Sequence, residues 1–135
     1  MKLTLLLLLT LLGGATVAQS RVILDSLDKR YQECLSLHSG QYNCAQQYYR
    51  SMDSLLRRSY SRLCNQLDSN GRQSLQLEQL DWEERKTAYF ELLDARVDKQ
   101  HKTTLSGLDD RVISTDNKAA YLRNRVLQLA RLDAH

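Results

Sequence analysis

The chain contains no proline. Nothing in it therefore imposes the breaks and kinks that proline forces on a helical pattern. Glycine is scarce too. Beyond Gly13 and Gly14 it occurs only at Gly40, Gly71 and Gly107. Glycine is the commonest helix terminator and turn former, so these three residues divide the chain into four long segments. No strand-like alternation persists anywhere, and there is no internal repeat or low-complexity tract.

Catalytic signatures are missing as well. There is no G-x-S-x-G, no Walker loop and no H-E-x-x-H. The Glu-x-x-His pairs of di-iron bundles are approximated only by Asp98 and His101, once. The acid pairs Glu83–Glu84 and Asp109–Asp110 are adjacent in sequence. On a helix such neighbours point about 100° apart, whereas a glycosidase needs two carboxylates flanking one bond. His38, His101 and His135 are scattered. Neither a metal, a cofactor nor an enzymatic activity is expected.

Charge of one sign is not in excess. Nineteen basic residues face 16 acidic ones, a formal charge of +3. Both signs are interspersed, which argues against a nucleic-acid partner and against strong attraction to an anionic membrane.

What is present begins at the N-terminus. Lys2 precedes a run from Leu3 to Leu12 that is broken only by Thr4 and Thr10. Gly13, Gly14 and Ala15 follow, then the small-residue stretch "ATVAQS". This is the order of a secretory signal peptide. The apolar run is shorter than the ~20 residues a membrane span needs. Cleavage is expected after Ala18, giving a periplasmic or secreted chain. Loss of Lys2 lowers the charge to about +2.

The four segments carry apolar stripes at spacings of three and four. The first has Leu24, Leu27, Tyr31, Cys34 and Leu35. The second, from Tyr42 to Asp68, has Ala45, Tyr48, Tyr49, Met52, Leu55, Leu56, Tyr60, Leu63 and Leu67. The third, from Arg72, has Leu75, Trp82, Tyr89, Leu93 and Val97, interrupted by Gln79 and Lys86. The fourth has Val112, Leu122, Val126, Leu129 and Ala130, and Ser114 to Asn117 are capping residues that could restart its helix. The expected fold is all-α: a small antiparallel bundle of three to four helices.

Cys34 falls at the end of the first helix and Cys44 at the start of the second, around the turn "HSGQ". In an oxidising compartment this pair is expected to form a disulfide that staples the first hairpin. Cys64 is left over. It is either a buried thiol or the link of a dimer.

The stretch "CAQQYYRSMDSLLRRSY" places Asp53, Leu56 and Tyr60 after Cys44. "EQLDWEERKTAYF" places Gln79 three residues before Trp82. Together with Cys34, this ordered set resembles the LprI-like lysozyme-inhibitor N-terminal domain family of small exported helical proteins. That family's pattern is a cysteine pair, then D-x-x-L-N-x-x-Y, then A-Q-x-x-W-x-x-Y-R-D. The resemblance spans about Cys34 to Ala95. The motif's Asn is Arg57 here, its Ala is Glu78, its Tyr-Arg is Arg85–Lys86, and the later cysteines are missing.

The chain is thus expected to divide into a signal peptide over 1–18, a helical domain over 19–100 that the resemblance marks as LprI-like, and a C-terminal helical extension over 101–135. The resemblance implies a non-catalytic binding protein that could inhibit a lysozyme-like glycosidase. The alternative is an envelope interaction protein with another partner, suggested by seven tyrosines. Asp53, Leu56, Tyr60, Gln79 and Trp82 read as structural. Trp82 and Tyr60 would lie in the core, and Asp53 and Gln79 would supply hydrogen bonds between helices. The candidate binding element is the turn His38, Ser39, Gln41 and Tyr42, bridged at its base and offering donors and an aromatic surface.

Overall fold

A computed structural model describes the backbone of residues 12–37, 40–101 and 107–133, with side chains over 18–37, 40–99 and 110–133. The described residues form α1 (Leu12–Ser36), α2 (Gln41–Gln66), α3 (Ser69–His101) and α4 (Gly107–Leu132), with no strand. The fold is the expected all-α bundle, and Cys34 is bridged to Cys44 across the first hairpin. The leucine run of the expected signal peptide lies mostly outside the described residues. No helix among them is long and apolar enough to cross a membrane.

The first hairpin turns at Gly40, whose φ of +72° is left-handed. A β-carbon is disfavoured there. The Gly40 carbonyl accepts from the Cys44 N–H at 3.0 Å and opens α2. The bridge closes a short loop, with Cα atoms 5.8 Å apart. In the chain-entropy model a loop of this size stabilises the fold by roughly 2–3 kcal/mol.

The second connection differs from the sequence reading. The break falls at Leu67 and Asp68, not at Gly71. Asp68 is the reason: its carboxylate accepts the Gly71 N–H at 2.7 Å and caps α3, so Gly71 sits in the first helical turn. Arg72 reaches back and donates to the carbonyls of Cys64 and Leu67, at 3.0 and 3.3 Å. Those carbonyls belong to the last turn of α2, where acceptors lack helical partners. α4 also runs without the restart considered at Ser114 to Asn117. The Thr115 hydroxyl there donates to the Arg111 carbonyl one turn back, at 2.8 Å, rather than capping a new helix.

α2 and α4 form the most extensive pairing, and they run parallel. Val112 packs beside Cys44 and Ala45 at one end, and Arg62 pairs with Asp133 at 3.2 Å at the other. α1 lies antiparallel against both helices, and α3 lies antiparallel along α4. The main core joins all four helices through Leu24, Met52, Leu56, Leu63, Leu75, Trp82, Leu122, Val126 and Leu129. A smaller cluster of Tyr31, Cys44 and Ala45 sits at the disulfide end. The stretch read as a C-terminal extension therefore supplies α4 to the same core, and the folded unit runs through to residue 133.

Candidate functional site

The motif residues lie in the core and its borders. Leu56 and Trp82 are buried, each 4% exposed. Tyr60 is half-buried against the core, one turn before Cys64 on α2. Cys64 is unpaired and half-buried. Trp82 stacks on Tyr121 at 5.5 Å, and Tyr121 on Tyr89 at 5.1 Å.

Gln79 makes the interhelical hydrogen bonds expected of it, but its partner is Arg125. The Gln79 side-chain carbonyl accepts from two Arg125 nitrogens at 2.9 and 3.1 Å. Arg125 is 2% exposed. It also donates to Glu78 at 2.7 Å and Gln128 at 3.2 Å, and its guanidinium lies 5.5 Å from the centre of the Trp82 ring. Asp53 does not bond between helices. It pairs with Arg57, four residues on along α2. Arg57 stands where the family pattern has Asn, and within one turn it reaches Asp53 before any other helix can.

A second polar network ties α1, α2 and α4 together. Tyr31 and Tyr48 stack at 4.6 Å. The Tyr31 hydroxyl donates to Asp116 at 2.5 Å. Tyr48 donates to Asp28, whose other oxygen accepts from Arg123 at 2.9 Å. Burial first, and the hydrogen-bonded carboxylate second, hold both phenols well above tyrosine's ordinary value near 10. Burial also pushes the Asp116 carboxyl up, partly offset by the bond from Tyr31.

For the tyrosines, a raised folded-state value contributes stability that is fully present below about pH 10 and lost as pH rises through the raised value. In an alkaline titration, Tyr31 and Tyr48 are expected to ionise only as the helices melt, and Tyr48→Phe to remove one of these late phenolates. Phenolate absorbance followed together with far-ultraviolet circular dichroism checks this. Ionisation of every tyrosine near pH 10 with helicity intact would show that the network is open.

The turn selected from sequence is only partly described. His38 and Ser39 lie outside the described residues, as do His135 and the side chain of His101. Gln41 is exposed. Tyr42 is half-buried and lines a groove of about 220 Å³ with Asp94, Arg111, Ser114 and Lys118. It thus faces α3 and α4. The described residues hold no cluster of three or more His, Cys, Asp or Glu side chains that could bind a metal ion.

A large concavity among the described residues was not legible in the sequence. It is an open furrow of about 620 Å³ between α1 and α2. Val22, Ile23 and Leu27 give it an apolar strip, Ser26, Ser51 and Ser54 give it hydroxyls, and Arg30, Arg50 and Arg58 give it charge. A further hollow of about 180 Å³ shares Leu27, Arg30 and Ser51 and continues the furrow to the Cys34–Cys44 bridge and the Tyr31–Tyr48 stack. Among the described residues, no carboxylate lines either part. Arg30, Arg50 and Arg58 have no hydrogen-bond or ion-pair partner among the described residues. Arg57, Arg62, Arg85, Arg123 and Arg125 pair with acids; Arg21, Arg96, Arg111 and Arg131 do not among the described residues, but they lie outside this acid-free furrow. One signal was available: Arg50, Ser54 and Arg58 recur every four residues, which places them on one face of α2. No protein-family model, curated protein or solved structure matches the chain.

Proposed function

We propose that the mature chain is an exported, non-catalytic binding protein that engages another protein through the furrow between α1 and α2. The observation that carries this reading is the set of three unpartnered arginines on a concave surface without a single lining carboxylate. Export is supported by the leader-like N-terminus and by the disulfide, which suits an oxidising compartment. Absence of catalysis is supported by how the partly buried acids are used. Asp28 serves Tyr48 and Arg123, Asp116 serves Tyr31, and Glu78 serves Arg125. Asp28 and Asp116 line one hollow with Tyr31, Tyr48 and Arg123, but each is already engaged by a tyrosine hydroxyl.

The proposed partner class is a lysozyme-like glycosidase, taken from the family resemblance. Such an enzyme needs open access to its cleft, and a protein held by guanidinium–carboxylate pairs to an acidic segment beside that cleft would obstruct it. The chain is close to neutral, so recognition would rest on local contact rather than long-range steering. The test is lysis of bacterial cell walls by lysozyme in the presence of purified mature protein. Lysis is expected to slow as the protein approaches equimolar amounts. Lysis unchanged at large excess would remove the glycosidase and leave an envelope protein as the partner to be sought by affinity capture.

A further inference from the structure

We infer that the furrow receives an extended acidic segment of the partner, with Arg30, Arg50 and Arg58 as its carboxylate receptors. This rests on the binding-protein reading above and adds the chemistry of what is bound.

The shape comes first. The furrow is concave, and one cleft does not fill another. The partner must therefore offer something convex and narrow enough to lie between two helices. Arg50 and Arg58 are eight residues apart on α2, which on a helix is about 12 Å. A chain in extended conformation advances ~3.3 Å per residue and covers that distance in about four residues. A segment with carboxylates four apart thus meets both arginines in register, and Arg30 stands on the α1 wall of the same furrow.

The chemistry between the charges fits a peptide. An extended peptide presents its own N–H and C=O groups along its length. Ser26, Ser51 and Ser54 line the furrow between the arginines, and a hydroxyl can donate to one such group and accept from the other. Val22 is 67% exposed, and beside Ile23 and Leu27 it offers apolar contact to a side chain on the segment.

Electrostatics sets the sign. Three cations with no counter-charge on the walls repel one another, and an anionic occupant relieves that repulsion. Nucleic acid fits less well. Three arginines neutralise at most about three phosphates, a small part of the counterion-release drive on which such binding depends.

The experiment uses the full mature protein and a fluorescein-labelled octapeptide of leucine and serine with glutamates about four positions apart. Its counterpart carries glutamine in place of glutamate. Anisotropy is expected to show the glutamate peptide binding at least about tenfold more tightly, with affinity falling as salt is raised. Arg50→Glu with Arg58→Glu should lose that tenfold preference. Arg85→Glu, at an exposed ion pair on α3, should keep it. Circular dichroism and melting temperature of each variant confirm that the bundle is intact.

Equal binding of the two peptides, full binding by the double variant, or no binding at all would overturn the inference. So would binding to phosphatidylglycerol vesicles, lost in the double variant, without binding to the peptide. The two readings fail separately. If the double variant slows lysis as well as wild type does, the furrow is not the contact and the inhibitor reading stands. If the peptide binds but lysis is unaffected, the furrow stands and the glycosidase does not.

Discussion

Trp82→Ala is expected to lower the free energy of unfolding by about 3–5 kcal/mol, measured by urea denaturation. The ring is 4% exposed and is the largest apolar side chain that α3 brings into the core. One side of it stacks on Tyr121. Arg125 and Lys86 lie near its faces, at 5.5 and 5.3 Å from the ring centre. Truncation would remove the transfer free energy of an indole, both cation contacts and the main apolar link between α3 and α4. Neighbours cannot collapse into the space, because Arg125 is held in place by Glu78, Gln79 and Gln128. A midpoint shift within experimental error would mean that the ring is at the surface, and Trp82 would then become a contact residue.

Arg125→Ala is expected to cost about 2–4 kcal/mol, and Arg125→Met less than half as much. The alanine variant leaves a cavity beside Trp82 and strands the Gln79 carbonyl, an acceptor that loses both of its bonds. Glu78 is half-exposed and can return to water, which keeps the loss below that of a fully buried ion pair. Methionine restores most of the volume without the charge. The Gln79 carbonyl loses its partner in both variants, so the methionine variant keeps that part of the cost and recovers the packing part. Equal losses for the two variants would show that the hydrogen bonds to Gln79 and Glu78, and not the packing, hold α3 against α4.

Much of the bundle was legible because its stripes are regular. On α2, Ala45, Met52, Leu55, Leu56 and Leu63 are all buried, as their spacing requires. The interruptions on α3 were harder to interpret. Gln79 sits between Leu75 and Trp82 and looked like a defect in the stripe. Arg125 interrupts Leu122, Val126 and Leu129 in the same way. Each interruption explains the other, because the two side chains bond across the α3–α4 contact. A single helical pattern cannot reveal this, since it carries no information on which helix lies opposite. The furrow was missed for a related reason. Arg30 and Arg50 belong to different helices, and only the register set by the Cys34–Cys44 bridge brings them to one surface. The second break was misplaced because Gly71 drew attention from Asp68, whose side chain does the capping. The tyrosines looked like recognition residues. Tyr31, Tyr48, Tyr89 and Tyr121 take part in stacks between helices.

The parallel pairing of α2 with α4 has a bearing on how the molecule is made. Ribosomes release a chain from its N-terminus, so Leu24, Met52 and Leu56 emerge long before Leu122, Val126 and Leu129. The first hairpin needs nothing further along the chain, and its bridge can form once the chain reaches an oxidising compartment. The core has no such independence. Its earlier members lack one wall until α4 arrives. α4, made after the other three helices, is the wall against which their core residues close. A chain still being extended is in that sense kept open, which is the form in which a polypeptide can be threaded through a narrow pore.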